Sequence, residues 1–121
     1  MAIELTFAAP PSANLLFANA PGKGRVRTKA YKLWAQSAGW EIKTQIVPLP
    51  GMHHIDGPYA LTIHIGPGLD IDNCAKGIAD ILGPGAHGMN VTEDDSQMVE
   101  LHVYRDKAAG KTCRVRVEAK L

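Results

Sequence analysis

The sequence predicts one domain of the α/β (α+β) class, a single-layer mixed β-sheet of about four strands with two main helices. Three observations predict it. The chain of 121 residues has the length of one ordinary domain. Hydrophobic residues make up 45% and charged residues 21%, which is a globular composition. Apolar residues alternate with polar ones in four segments and recur at helical spacing in two, in the order β-α-β-α-β-β.

The first half of the chain predicts a strand, a loop and a helix. Residues 3–8 alternate apolar and polar side chains as a first strand, which a Pro-Pro pair ends. The stretch that follows, up to residue 27, is rich in Pro, Gly and Asn and is predicted to be a loop. Thr28 suits the N-cap of a helix that runs to about Ile46. The apolar residues of that helix recur at helical spacing: Tyr31, Trp34, Ala35, Ala38 and Ile42.

The second half predicts a strand, a helix and two more strands. Residues 60–65 alternate as a second strand, and a helix is expected from Asp70, whose carboxylate can cap its free N–H groups, to residue 82. Residues 99–103 and 113–119 are predicted to be the third and fourth strands. One helix face is apolar, and the other carries charged residues four apart: Asp72, Lys76 and Asp80.

Charge is distributed unevenly along the chain, although the net charge is only +1. Residues 1–46 and 105–121 each carry six basic and two acidic side chains, whereas residues 56–100 carry one basic and eight acidic. An acidic centre alone would repel a polyanion, but the same centre with a divalent metal would not. The pattern is therefore compatible with a nucleic-acid partner.

Several classes of protein are disfavoured by composition. No stretch approaches the roughly 20 apolar residues of a membrane span, so we expect no membrane partner. The first residues lack the basic segment of a signal peptide. Cys74 and Cys113 have no metal-ligand spacing, and we interpret both as buried free thiols. A cytoplasmic protein is expected.

The stretch LDIDNCAKGIAD, residues 69–80, is the strongest candidate for a site. Mg²⁺ prefers oxygen ligands, and Asp70 and Asp72 can converge on one cation at the junction of strand and helix. A third carboxylate can come from Asp94 or Asp95, after a Gly-rich loop able to fold back. A metal held in this way activates a water and polarises a phosphodiester. Lys76 can then stabilise developing negative charge.

A simpler interpretation of these residues stays open. Asp72, Lys76 and Asp80 can be solvated surface pairs at i,i+4 spacing, and Asp70 can be an N-cap alone. The stretch is not an EF-hand loop, because Cys74 and Lys76 stand where oxygen ligands are required. The chain also lacks the G-x-x-x-x-G-K-[ST] motif that cradles phosphates.

Two motifs taken together resemble the RusA-type Holliday-junction resolvase (crossover junction endodeoxyribonuclease) family. The element PPSANLLF after the first strand is similar to the PPSxN element of that family. The family pattern D-x-D-N-x-x-K-x-x-x-D, followed by an Asp-Asp pair that leads into a strand, has counterparts here. They are Asp70, Asp72, Asn73, Lys76 and Asp80, then Asp94, Asp95 and Gln97 ahead of MVELHV.

The resemblance, which spans about residues 10–104, implies a Mg²⁺-dependent, homodimeric endodeoxyribonuclease, with Mn²⁺ as a substitute metal. Such an enzyme resolves four-way junctions by paired symmetric nicks in DNA recombination and repair. Asp70, Asp72 and Asp95 would correspond to the catalytic, metal-binding carboxylates, and Lys76 to the essential lysine. Residues 1–121 would form a single domain of this kind.

The chain departs from the family pattern just before Asp70. Well-known members carry a run of arginines there, whereas this chain has HIGPGL. We therefore expect the phosphates of branched DNA to be bound elsewhere, by a cluster uninterrupted by acidic residues: Lys23, Arg25, Arg27, Lys29 and Lys32. The alternative is solvated charge on a loop and a helix start.

Two other functions remain compatible with the sequence. One is a catalytically silent nucleic-acid-binding protein that uses its basic ends. The other is a metal-dependent phosphohydrolase acting on small nucleotides. The crowded carboxylates favour an enzyme over a silent binder, and the two basic segments favour a polymer over a mononucleotide.

Overall fold

The computed structural model describes residues 1–11, 17–22, 24–49, 53–85 and 88–120, with the backbone alone for 17–20 and 24–27. Its six strands are β1 (Ala2–Ala8), β2 (Phe17–Ala20), β3 (Gly24–Arg27), β4 (Tyr59–Ile65), β5 (Met98–Arg105) and β6 (Thr112–Ala119). Four of them form a sheet in the order β1-β6-β4-β5. Strand β6 runs antiparallel to both neighbours, while β4 and β5 are parallel. The predicted mixed sheet is therefore confirmed.

Among the described residues, two helices accompany the sheet, α1 (Lys29–Ile46) and α2 (Ala75–Leu82), as predicted. Thr28 caps α1 as expected, because its side-chain oxygen accepts a hydrogen bond of 3.2 Å from the backbone N–H of Tyr31. The buried face of α1 consists of Tyr31, Trp34, Ala35, Ala38, Gly39 and Ile42. No helix in the described ranges is long and apolar enough to cross a membrane.

The core lies on one face of the sheet. The inward residues of β1 and β6 alternate with outward ones, so Leu5 and Val115 are buried while Arg114 and Arg116 are exposed. Cys74 and Cys113 are buried free thiols, as expected from the sequence. Burial raises the pKa of the Cys113 thiol to about 12.

The structure corrects the predicted loop before α1. Strands β2 and β3 pair antiparallel as a small separate hairpin, where the sequence predicts an irregular loop as far as residue 27. Gly22 has a φ of 74° in the connecting turn. Glycine adopts this left-handed conformation without a steric penalty, so the glycine that resembles a loop signal in fact closes a hairpin.

The start of α2 is also corrected: it begins at Ala75 and not at Asp70. The chain turns first, and the N–H of Asn73 donates to the carbonyl of Asp70 over 3.2 Å. Asp70 is therefore not the cap, and Cys74 precedes the helix without a capping side-chain bond. Asp72 and Ile71 lie outside the helix, and Ile71 is 40% exposed.

The two edges of the sheet differ. Along β1, Gln45 accepts from the N–H of Thr6 over 2.8 Å and donates to its carbonyl over 2.6 Å. At Ala8, Glu41 accepts from the N–H over 3.1 Å and the Trp34 indole donates to the carbonyl over 2.8 Å. At the other edge, no strand within the described residues pairs with the outer side of β5. Its exposed apolar residues are Val99, Leu101 and Tyr104.

Candidate active site

The segment that carries Asp70 and Asp72 follows the carboxyl end of β4. Arg105, the last residue of β5, donates to the carbonyl of Gly66 over 3.3 Å and to that of Leu69 over 2.9 Å. At Gly66 an added Cβ would lie only 2.0 Å from the carbonyl oxygen of Gly110, so two loops meet backbone to backbone. The loop is thus fixed on its inner side. The carboxylates of Asp70 and Asp72 are both exposed.

The first turn of α2 continues this site. Lys76 is exposed there, close in sequence to Asp72. One turn further, half-buried Asp80 accepts a hydrogen bond from the hydroxyl of Tyr31 on α1. This bond ties α2 to α1 and gives Asp80 a structural partner. The sequence pattern alone assigned no such contact to Asp80.

Asp94 and Asp95 lie in a second segment, immediately before β5. A short 3-10 turn spans Asp95–Gln97, with Asp94 at its N-cap position. The hydroxyl of Ser96 donates to the Asp94 carboxylate over 2.6 Å. This hydrogen bond holds the pKa of Asp94 below its ordinary value. Asp95 is exposed and is the first residue of this turn, outside the strand.

Tyr59 lies beside this second segment, a position that sequence reasoning missed. Burial raises the pKa of its hydroxyl, and the carboxylates of Asp95 and Asp94 raise it further, while the Thr92 hydroxyl opposes them. Tyr59 is the first residue of β4 and pairs with Met98, the first of β5. Asp94 and Asp95 are therefore near the amino ends of both strands.

The two acidic segments lie at opposite ends of the parallel pair. Ile65 pairs with Arg105 at one end of β5, whereas Tyr59 pairs with Met98 at the other. These ends are about 23 Å apart at ~3.3 Å per residue. Among the described residues, no group of three His, Cys, Asp or Glu side chains is placed to hold a metal ion. The expected convergence of Asp70, Asp72 and Asp95 within one chain does not occur.

The predicted DNA-binding cluster is described only in part. Lys23 lies outside the described residues, and for Arg25 and Arg27 in β3 the backbone alone is described. Lys29 and Lys32 are exposed in the first turns of α1. These two lysines therefore present positive charge to solvent.

Arg105 has a role that its charge did not indicate. The sequence groups it with other basic residues near the carboxyl end, yet its guanidinium is bonded to the carbonyls of the Asp70 loop. The sequence feature that could have indicated this role is the position of Arg105 at the end of a strand that is parallel to β4. A parallel neighbour brings that end to the loop after β4.

Comparison with known proteins supports one family. No curated protein matches the chain significantly. The family described as Endodeoxyribonuclease RusA matches residues 8–120, which include both acidic segments, the whole of β4, β5 and β6, and the last residue of β1. The chain therefore belongs to the RusA endodeoxyribonuclease family, the DNA-cleaving enzymes that resolve Holliday junctions.

Proposed function

We propose that this protein is a Mg²⁺-dependent, homodimeric endodeoxyribonuclease that resolves Holliday junctions by paired symmetric nicks, in recombination and repair. Residues 1–121 would act as a single catalytic domain. The observation that carries the proposal is a pair of exposed carboxylates, Asp70 and Asp72, on a loop whose inner side is fixed by Arg105. They stand at the first two acidic positions of the family motif.

The donor set suits a hard divalent cation. Asp70, Asp72 and Asp95 would hold Mg²⁺, or Mn²⁺ in its place, through carboxylate oxygens. Because all three side chains are exposed, there is room for the water ligands that Mg²⁺ retains in proteins. When bound, the metal would lower the pKa of a water and polarise the scissile phosphodiester.

Lys76 would supply positive charge beside the scissile phosphate. Its ammonium, in the first turn of α2, can stabilise negative charge that develops on a phosphoryl oxygen or on the leaving group. The bond between Tyr31 and Asp80 fixes α2 against α1 and so sets the position of the Lys76 backbone. Lys23, Arg25, Arg27, Lys29 and Lys32 would contact phosphates away from the cut, without reading sequence.

A second copy can complete the carboxylate set. If the open edge of β5 pairs antiparallel with β5 of a second copy, the amino end of each strand lies beside the carboxyl end of the other. Asp95 of one copy then approaches Asp70 and Asp72 of the other. A two-fold axis creates two such sites, because it repeats each contact. Two equivalent sites suit two symmetric nicks.

Cleavage of a synthetic four-way junction in the presence of Mg²⁺ tests the assignment. We expect the wild-type protein to produce nicked duplexes. Asp70→Asn, Asp72→Asn and Asp95→Asn should each keep junction binding and lose about 100-fold or more in cleavage rate. An intact junction with both Mg²⁺ and Mn²⁺ would favour a silent DNA-binding protein. Hydrolysis of mononucleotides alone would favour a phosphohydrolase.

Mixing inactive variants tests whether the site spans two copies. In a mixed dimer of Asp70→Asn with Asp95→Asn, one composite site contains only native carboxylates, so we expect cleavage to return at one strand per dimer. The matched control mixes Asp70→Asn with Asp72→Asn, which leaves both composite sites defective. Equal inactivity of the two mixtures, with mixed dimers present, would contradict the composite site.

A further inference from the structure

We propose that Trp40 on α1 is a stacking site for an unpaired nucleobase of the DNA substrate, with Lys32 and Lys43 binding the adjacent phosphates. The proposal rests on the proposed function in taking DNA as the ligand, and it adds a contact that the cleavage chemistry does not use. Trp40 lies on α1, apart from both acidic segments in the sequence.

Trp40 stands between two open spaces on the outer side of α1. Its side chain is 68% exposed, which is unusual for the largest apolar residue type. A cavity of about 390 Å³ lies on one side and is lined by Lys32, Gln36 and Met89 among others. A second cavity of about 330 Å³, lined by Thr44, Val47 and Pro48, lies on the other side. Trp40 and Lys43 line both cavities.

The floor of the larger cavity is apolar and adaptable. Gly39 lies against Met89, and an added Cβ at position 39 would be 2.9 Å from the Met89 methyl carbon. The missing side chain thus lets the thioether close the floor beside the indole. A methionine there can adjust to different flat ligands because its side chain is flexible and polarizable.

The charge around Trp40 favours an anionic partner. Neither Lys32 nor Lys43 makes an ion pair with another residue that the structure describes. The acidic residue of α1, Glu41, is directed at β1 and accepts from the N–H of Ala8. No carboxylate from the described residues lines either cavity. An indole flanked by unneutralised lysines matches a base with its neighbouring phosphates.

A second copy of the chain is the competing occupant. Leu33, Trp40 and Val47 are all exposed and lie seven residues apart, a spacing typical of a helix–helix seam. A helix packed over Trp40 would, however, cover Lys43, which lines the cavities on both sides of the indole. Burying that ammonium without an acidic partner is unfavourable. Phosphates would neutralise it, so the observations favour DNA.

Fluorescence and binding measurements on the full chain test the proposal. The probes are a single-stranded thymidine oligonucleotide and a four-way junction, in metal-free buffer so that cleavage does not intervene. Trp34 is buried, so quenching of emission on binding reports on Trp40. We expect Trp40→Ala to abolish the quenching and to weaken oligonucleotide binding about tenfold or more. Trp40→Phe, which retains an aromatic face, should recover most of the affinity.

Control variants separate the possible outcomes. Leu33→Ala removes an exposed apolar residue outside both cavities and should bind as the wild type does. Lys43→Ala should make binding less dependent on salt concentration, by about the amount expected for the loss of one phosphate contact.

Unchanged DNA affinity in Trp40→Ala would overturn the stacking site, while junction cleavage would still uphold the proposed function. Loss of dimer in both Trp40→Ala and Leu33→Ala would assign the face to a second copy. A wild type that binds neither DNA in this buffer and does not cleave the junction with Mg²⁺ would overturn the proposed function itself.

Discussion

The two edge strands of the central sheet differ in whether their outward backbone groups have hydrogen-bond partners. At β1, side chains of α1 satisfy the outward N–H and carbonyl groups of Thr6 and Ala8. At β5, the described residues leave the outer side of the strand unpaired, and Leu101 near its centre is 45% exposed. Exposed edges invite further strand pairing, and proteins commonly block them. In the part of the chain that the structure describes, one edge is blocked and the other is open to pairing.

The contrast indicates which edge is suited to association between copies and lies near the candidate active site. The closed edge lies away from both acidic segments, whereas the open edge has Asp95 next to one end and the Asp70 loop next to the other. An open edge with candidate site residues at both ends is suited to pairing that also assembles a site. Substitutions at the two edges test this contrast.

The largest effect is expected from a charge at the middle of the open edge. In Leu101→Lys, an antiparallel pair of β5 strands would bring two ammonium groups together. Since like charges at an interface cost several kcal/mol, we expect the dimer to weaken by about 100-fold or more, and cleavage to fall with it. Analytical ultracentrifugation measures the first and junction cleavage the second.

Leu33→Lys is the matched control for that variant, because Leu33 is 58% exposed on α1, the helix bonded to the opposite edge strand β1. It should remain dimeric and active. A Leu101→Lys protein that is folded, dimeric and fully active would mean that the open edge is not the interface.

The next effect concerns the loop at one end of the open edge. Arg105→Lys keeps the positive charge but loses the fork that bonds two carbonyls at once. Because Asp70 and Asp72 then lose their fixed position, we expect the cleavage rate to fall about tenfold or more. The salt dependence of junction binding should stay unchanged. A drop in affinity with an unchanged rate would identify Arg105 as a phosphate contact instead.

A smaller effect is expected at the closed edge. Gln45→Ala removes both hydrogen bonds to Thr6, which should lower the free energy of unfolding by about 1–2 kcal/mol. Urea denaturation measures it. Gln36→Ala, at an exposed position on the same helix, is the control and should be close to neutral. The proposed pairing through β5 should persist in both variants, because Gln45 and Gln36 lie on α1 and not on the open edge.

The smallest effect that we expect is a pH dependence of the stability of the fold, on the side of the molecule where the second acidic segment lies. The carbonyl of Asn90, 2.6 Å from His54 Nδ1, raises the pKa of that imidazole above its ordinary value of 6.5, and Asp56 adds to the shift. Protonated His54 therefore stabilises the fold. This contribution is present below about pH 6.5 and is lost as the pH rises through the higher folded pKa. Proton NMR of His54 gives the pKa.

The matching stability measurement compares wild type with His54→Ala by urea denaturation on both sides of that pKa. The difference between the two proteins should shrink as the pH rises. A constant difference would show that the contacts of His54 do not depend on its charge. The bonds of Gln45 and Trp34 at the closed edge have no titrating group and should not change over this range.

Much of the fold was predictable because its signals are local. Alternation in β1 and β6 reports which side chains face the helices, and Thr28 forms the cap that its residue type favours. The α2 boundary was not predictable from Asp70. Arg105, distant in sequence, donates to the carbonyl of Leu69, and the helix begins only at Ala75. A long-range contact of this kind has no signature in the local pattern.

For the candidate site, the family motif points to Asp70, Asp72 and Asp95, and this assignment stays a prediction. The expectation that the three residues meet in one chain ignored strand direction. A strand, helix and strand in succession favour a parallel pair. In a parallel pair, residues after the first strand and before the second lie at opposite ends. That reasoning was available from the order of elements, once β4 and β5 were taken as neighbours.

The enclosure of both cysteines makes the native chain a convenient background for site-specific labelling. Burial raises the pKa of Cys74 and of Cys113, so few thiolates are available to maleimide reagents at neutral pH. A single cysteine introduced at exposed Ile71 would therefore take up a fluorophore selectively. Energy transfer between two labelled copies would then follow their association in real time, without any change to the carboxylates.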